Sequence, residues 1–252
     1  MPLLGTYKEC EVFKIENLSK FYLDAIVGKA QLYFRPSILR NGVVGIGAAT
    51  VDTIQQSSGL EGFWDPRPDH PDRSYSKWGG FLDDIRDFDP GYFGLSPREA
   101  EGMDPQQRLL LMVAVEAAQD AGIPMSRLRS TSTGVFVGVS NTDYGLLQRY
   151  RPGCGEMQAG TGTALSIVAN RVSNRLDLTG PSMGVDTACS SALVAVDTAC
   201  RHLADGSCDF ALAGGVNVLL DPRMFMTFSR AHMLSPTGRI RAFDAAADGF
   251  VR

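Results

Sequence analysis

Cysteine and histidine are the residue types here best suited to nucleophilic or metal chemistry, and one cysteine stands apart from the rest. Cys189 lies in the run Gly180-Pro181-Ser182-Met183-Gly184-Val185-Asp186-Thr187-Ala188-Cys189-Ser190-Ser191. That run reads as a turn, then a short extended stretch, then the start of a long helical pattern. A thiol at such a junction sits at a helix N-terminus, where unpaired backbone N–H groups and the macrodipole favour the thiolate. Ala188, Ser190 and Ser191 are small and leave room for a substrate. A lone cysteine is more often a small buried hydrophobe, but the strand-to-helix placement and the small neighbours favour a reactive thiol at this position.

The other reactive types read differently. Cys10, Cys154, Cys200 and Cys208 form no metal-like or disulfide-framework spacing with Cys189, so reduced thiols in a cytoplasmic protein are expected. His202 lies thirteen residues beyond Cys189 on the same helical pattern, roughly 20 Å away at 1.5 Å per residue, and so outside hydrogen-bond reach. His70 falls in a Pro-rich loop and His232 just before Met233-Leu234-Ser235-Pro236, and neither pairs with Cys189 by position. Thr161-Gly162-Thr163 has the look of a phosphate loop, but no Gly-rich loop with a lysine follows, so nucleotide binding is not expected.

Several elements must position the thiol. Asp104 and Pro105 open a helix that Gly122 and Pro124 stop, with Leu109, Met112, Val113 and Ala117 expected on its core face. Gly134 to Val139, Met183 to Thr187 and Phe210 to Val216 read as strands, and Leu165 to Leu176 and Ser190 to Ala204 as helices. Either Ile26-Val27-Gly28 or Val43-Val44-Gly45-Ile46-Gly47 could supply an opening strand. Pro66, Pro68 and Pro71 mark Trp64 to Ser76 as an exposed, irregular loop. Strands alternating with helices argue a parallel, doubly wound α/β structure. A net charge of −4 and a pI near 5.4 give no electrostatic case for nucleic acid. No apolar run is long enough to span a membrane, and Met1 to Lys20 lacks the apolar core of a signal peptide.

Asp186-Thr187-Ala188-Cys189-Ser190-Ser191 resembles the nucleophile motif of β-ketoacyl synthases, especially the ketosynthase domains of type I modular polyketide synthases. Other segments match in the family's order: Phe93-Gly94-Leu95-Ser96-Pro97-Arg98-Glu99-Ala100, Met103-Asp104-Pro105-Gln106-Gln107-Arg108, Gly134-Val135-Phe136-Val137-Gly138, Ala169-Asn170-Arg171 and Ala211-Leu212-Ala213-Gly214-Gly215. The similarity runs from about Phe63 to Arg252. It divides the chain into a divergent N-terminal segment, 1–62, and the N-terminal half of a ketosynthase domain, 63–252.

The resemblance implies a thiolase-like fold, an α/β structure layered α-β-α, of which this chain holds the first half and stops before its last strand. It implies Cys189 as the nucleophile that takes an acyl group from a thioester, with its own backbone N–H as an oxyanion donor. A malonyl-type extender would then lose CO2 and condense with the bound acyl group. No bound cofactor is implied; the substrates ride on the phosphopantetheine of an acyl carrier protein. Thr161 and Thr163 would lie near the acyl pocket and the dimer contact, as substrate-binding or, more simply, structural residues. Neither the His202 nor the His232 position is catalytic in the family. The two histidines and the lysine that assist decarboxylation belong to the family's second half and have no counterpart here. The expected protein is a homodimer that binds neither nucleic acid nor membrane. A truncated ketosynthase fragment with a structural or dimerisation role is the alternative. A thiolase fits the motifs less well, and a decarboxylase of the loading type would carry Gln in place of Cys189.

Overall fold

Short runs build the central sheet, three of them apolar and ending in glycine and the fourth, Ser182–Val185, ending in valine. The computed structural model describes residues 62–80, 82, 85–149 and 157–252, together with the backbone of short strands at 30–31, 43–47, 50–51 and 54–56. The strands are β1 (Ala30–Gln31), β2 (Val43–Gly47), β3 (Thr50–Val51), β4 (Ile54–Gln56), β5 (Trp78–Gly80), β6 (Thr133–Gly138), β7 (Ser182–Val185) and β8 (Phe210–Gly215). The helices are α1 (Pro97–Gly102), α2 (Pro105–Asp120), α3 (Met125–Arg129), α4 (Asp143–Gln148), α5 (Met157–Thr163), α6 (Leu165–Leu176), α7 (Ser191–Ala204) and α8 (Arg223–Arg230). These elements fall into two compact units, one holding 43–47 and 85–218, the other 30–31, 50–82 and 219–252 among the described residues.

In the first unit β2, β8, β6 and β7 form a wholly parallel sheet in that order. Alternation along each strand splits the core in two. Val135, Val137 and Leu212 face α2 and α6, where Leu110, Leu111, Ala114, Val168 and Val172 are buried. Phe136, Ala211 and Ala213 face α7. The result is the expected three layers, helices on both faces of a parallel sheet. Val43–Gly47 takes the opening-strand position, in register with Ala211–Gly215. Residues 26–28 lie outside the described residues.

Helix α2 begins as the sequence requires. The Asp104 carboxylate accepts the Gln106 N–H at 2.8 Å, Pro105 follows, and Gly122 at φ 66° ends the run. Its buried face differs from the expected one. Leu110, Leu111, Ala114, Val115 and Ala118 are buried, whereas Met112, Val113 and Ala117 only flank the core. Residues 109–115 are all apolar, so periodicity could not fix the helix rotation, and packing against the sheet and α6 did.

The second unit carries two antiparallel pairs, β1 with β3 and β4 with β5. Residues 64–76 form the irregular segment expected, but not a wholly exposed one. Trp64 bridges to Ser74, and Ser74 and Ser76 are buried. The Tyr75 hydroxyl donates to the Leu234 carbonyl at 2.7 Å and accepts the Leu234 N–H at 3.1 Å. Among the described residues no helix is long and apolar enough to cross a membrane.

Candidate active site

Cys189 is exposed and sits in a tight turn between β7 and α7. The strand stops at Val185, two residues short of the expected Thr187, and Ala188–Ser190 form a 3-10 turn before α7 begins at Ser191. The thiol therefore lies in the turn that leads into the helix. The reason is local: Ala188 has φ 56°, the left-handed region, which breaks the extended chain and aims the next residue outward. For an alanine that conformation costs about 1–2 kcal/mol, so neighbouring groups must hold it. The Asp186 carboxylate accepts the Ala188 N–H at 3.0 Å. The Ser191 hydroxyl accepts the Thr187 N–H at 2.8 Å and donates to the Ala188 carbonyl at 2.6 Å. Ser190 Oγ lies 2.9 Å from the Thr187 carbonyl and 2.8 Å from Thr187 Oγ1.

The turn is seated where β6 and β8 end. A Cβ placed on Gly138 would lie 2.5 Å from Ala192 N and 2.6 Å from Ser191 C. One on Gly215 would lie 2.8 Å from Ala192 Cβ. Glycine at both strand ends lets the first turn of α7 press onto the sheet. Helix α7 answers with Ser191, Ala195, Ala199 and Leu203 buried at four-residue spacing. This places Cys189 at the carboxyl ends of parallel strands, the position where open α/β sheets bind ligands.

A polar network joins the other motif segments beneath the sheet's α2 and α6 face. Arg171 donates to Gln107 Oε1 at 2.9 Å and pairs with Glu99 at 2.7 Å. Arg175 reaches the same Glu99 oxygen at 3.2 Å. Gln107 Nε2 donates to the carbonyls of Thr161 at 3.1 Å and Gly162 at 2.9 Å. Gln106 spans the Asn141 carbonyl at 2.9 Å and the Val218 N–H at 3.2 Å. The hydroxyls of Thr161 and Thr163 turn back onto carbonyls of their own helix, Met157 at 3.2 Å and Ala159 at 2.9 Å.

The histidines are occupied elsewhere. His202 stacks on Phe136, with ring centroids 5.1 Å apart. His70 Nδ1 accepts the Asp72 N–H at 3.2 Å, and His232 lies 3.6 Å from Asp69. Among the described residues no hydrogen bond or ion pair joins His202, Thr161 or Thr163 to Cys189. Nor does any cluster of three or more His, Cys, Asp or Glu side chains there form a metal site.

A family model described as the β-ketoacyl synthase N-terminal domain matches residues 37–252. The chain belongs to the β-ketoacyl synthase family. It is 50% identical over 191 residues to a mycocerosic acid synthase-like polyketide synthase of Mycolicibacterium smegmatis, covering 76% of this chain and 9% of that protein. It is 49% identical over 189 residues to the phthioceranic/hydroxyphthioceranic acid synthase of Mycobacterium tuberculosis, covering 75% and 9%. Among solved structures, an oxazolomycin ketosynthase domain from Streptomyces albus matches with a TM-score of 0.65 at 42% identity, over 75% of this chain and 34% of that one. The ketosynthase from module 6 of the Bacillus subtilis bacillaene synthase matches at 0.66 and 38%, over 76% and 31%. The fold is thus the thiolase-like fold of ketosynthase domains, in its N-terminal part. The chain spans about 9% of the length of these curated relatives.

Within this ketosynthase unit the sequence motifs now have distinct places. Cys189 is presented outward on a turn whose residues 186–190 are all exposed, while Gln107 and Arg171 are buried in the polar network with Glu99. Sequence reading singled out Cys189 and gave no part to Asp186 or Ser191, which grip the backbone on either side of it. A short polar residue two positions before a small residue, and a hydroxyl three after it, is the available signal.

Proposed function

We propose that this chain is the cysteine-bearing part of a ketosynthase that elongates acyl chains carried on an acyl carrier protein. The observation that carries the reading is the exposed Cys189 on a left-handed turn at the carboxyl ends of parallel strands, in a chain of this family. Sγ of Cys189 attacks the carbonyl carbon of an acyl thioester. A new S–C bond forms, the old one breaks, and the departing thiol takes a proton while the acyl group stays on Cys189. The Cys189 N–H is a donor to the oxyanion of that step. In the second step the C–COO bond of a malonyl-type thioester breaks and releases CO2. The enolate left behind attacks the acyl carbon, and Cys189 leaves as the thiolate.

A divergent lead-in then precedes the ketosynthase portion, to which Val43–Gly47 belongs as the opening strand along with 63–252, and Thr161 and Thr163 support the fold. A homodimer through the open edge of β7 accompanies this reading. Incubation with a hexanoyl-N-acetylcysteamine thioester should add one acyl mass to Cys189, and Cys189→Ala should remain unmodified with its helical signal intact. An acyl adduct on the Cys189→Ala chain would exclude the assignment.

One observation favours a narrower second reading, in which this chain acylates but does not condense. His202, the histidine of the same unit as Cys189, stacks on Phe136 thirteen residues along α7, so it does not stand ready to stabilise an enolate at the acylated thiol. Acyl transfer without β-ketoacyl product from a malonyl thioester is expected of the chain by itself; product formation would refute this narrower reading.

A further inference from the structure

Ala188 is gripped through both of its own peptide groups, and both grips bear on the residue that follows. Its N–H is held by the Asp186 carboxylate at 3.0 Å and its carbonyl by the Ser191 hydroxyl at 2.6 Å. The Ala188 carbonyl and the Cys189 N–H belong to one planar trans peptide and point in opposite directions. Fixing the carbonyl therefore fixes the direction of the N–H. Without those grips a non-glycine residue at φ 56° would relax toward the ordinary negative-φ regions and swing that peptide plane. Ser191 is itself locked, 5% exposed, bonded to Thr187 N–H, and pressed against Gly138. Asp186, by contrast, is exposed and can be changed without disturbing the core.

We propose that Asp186 and Ser191 are positioning residues that hold the left-handed turn at Ala188 and thereby aim the Cys189 N–H at the oxyanion formed during acyl transfer. This rests on the reading of Cys189 as the acyl-accepting nucleophile. It also predicts a separation between two reactions of the same thiol. Attack on a thioester develops negative charge on oxygen and needs the aimed N–H. Attack on iodoacetamide displaces iodide at a saturated carbon and needs only the sulfur.

The test measures both rates on the full chain, with hexanoyl-N-acetylcysteamine and with iodoacetamide, by mass at Cys189 across pH 6 to 9. Asp186→Ala should lower acylation about tenfold, less than the 10²–10³ of losing an oxyanion donor outright. Alkylation should stay within about twofold of the unaltered chain, with the pH profile unmoved. Asp186→Asn keeps an acceptor oxygen for the Ala188 N–H and should restore acylation to within about twofold. Ser191→Ala should show the same split, and its thermal unfolding is followed alongside. If it fails to fold, the exposed Asp186 pair decides the matter alone. Parallel falls in both reactions, or no fall in either, would overturn the positioning role while leaving Cys189 as nucleophile. No acyl adduct on Cys189 in the unaltered chain would instead defeat the proposed function, and the positioning role with it.

Discussion

Three cysteines among the described residues occupy three different surroundings. Cys189 is exposed, Cys200 half-buried and Cys208 buried under α7. Burial pushes the Cys208 thiol up to about 11, assisted by the nearby Asp205 and Asp209 charges. Because the thiolate is the nucleophile, alkylation at pH 8 should modify Cys189 first and Cys208 only after unfolding. Peptide mass mapping during the reaction checks the order, and early labelling of Cys208 would contradict it. Asp104 is the other residue whose surroundings matter at this scale. Its burial raises the carboxyl above the ordinary value, against the pull of its bonds to Gln106. The folded chain therefore holds this proton more tightly than the unfolded chain. Its contribution is fully present below the unfolded value and is lost as pH rises through the folded one. Asp104→Asn should keep the cap and flatten that fall in urea-unfolding stability as pH rises above the ordinary carboxylate range, whereas Asp104→Ala should cost about 1 kcal/mol.

Between elements, close approach and buried charge decide the energetics. A Cβ at Gly138 meets backbone atoms of Ser191 and Ala192, which cannot swing aside as a side chain could. Gly138→Ala should therefore destabilise by about 1–3 kcal/mol, the range for overpacking, and slow acylation by displacing the first turn of α7. Calorimetry with the acylation assay checks both. The Arg171 guanidinium is 7% exposed and its partner Glu99 is 23% exposed. Arg171→Met should cost about 3 kcal/mol because it leaves Gln107 Oε1 without its donor and Glu99 held by Arg175 alone. The solvent-facing pair Arg201–Asp197 on α7 makes the contrast. Arg201→Ala should change stability by less than about 0.5 kcal/mol. Equal losses at the two sites would show that burial does not govern these pairs.

At the scale of the whole molecule, the open side of β7 is the feature that calls for a partner. Among the described residues β7 pairs with β6 alone. The Pro181 and Val185 carbonyls accept from Val135 and Val139 N–H, so by strand alternation the peptide groups of Ser182 and Gly184 face the free edge. Such an edge is a liability that a symmetric pairing removes. Light scattering should report a dimer at micromolar concentration. Hydrogen exchange should find the Ser182 and Gly184 amides protected there and exposed on dilution to monomer. Rapid exchange of both amides in a demonstrated dimer would place its interface elsewhere.

The sequence by itself determined much of this protein because its signals are local. Asp104-Pro105 and Gly122 fix where α2 starts and stops, the apolar runs Gly134 to Val139 and Phe210 to Val216 mark two strands to within a residue at each end, and Leu165 to Leu176 reads as a helix over the same span observed. The motif around Cys189 carried the family. Tertiary structure decided what depends on contacts distant in sequence. It chose the buried face of α2, where an unbroken apolar run left the rotation open. It selected Val43–Gly47 for the opening strand through pairing with β8. It joined Glu99, Gln107, Gly162 and Arg171 across more than sixty residues. The left-handed turn at Ala188 was hidden for the same reason. Alanine gives no sign of positive φ, and the conformation exists only because Asp186, Ser191 and the seat of α7 on two glycines hold it.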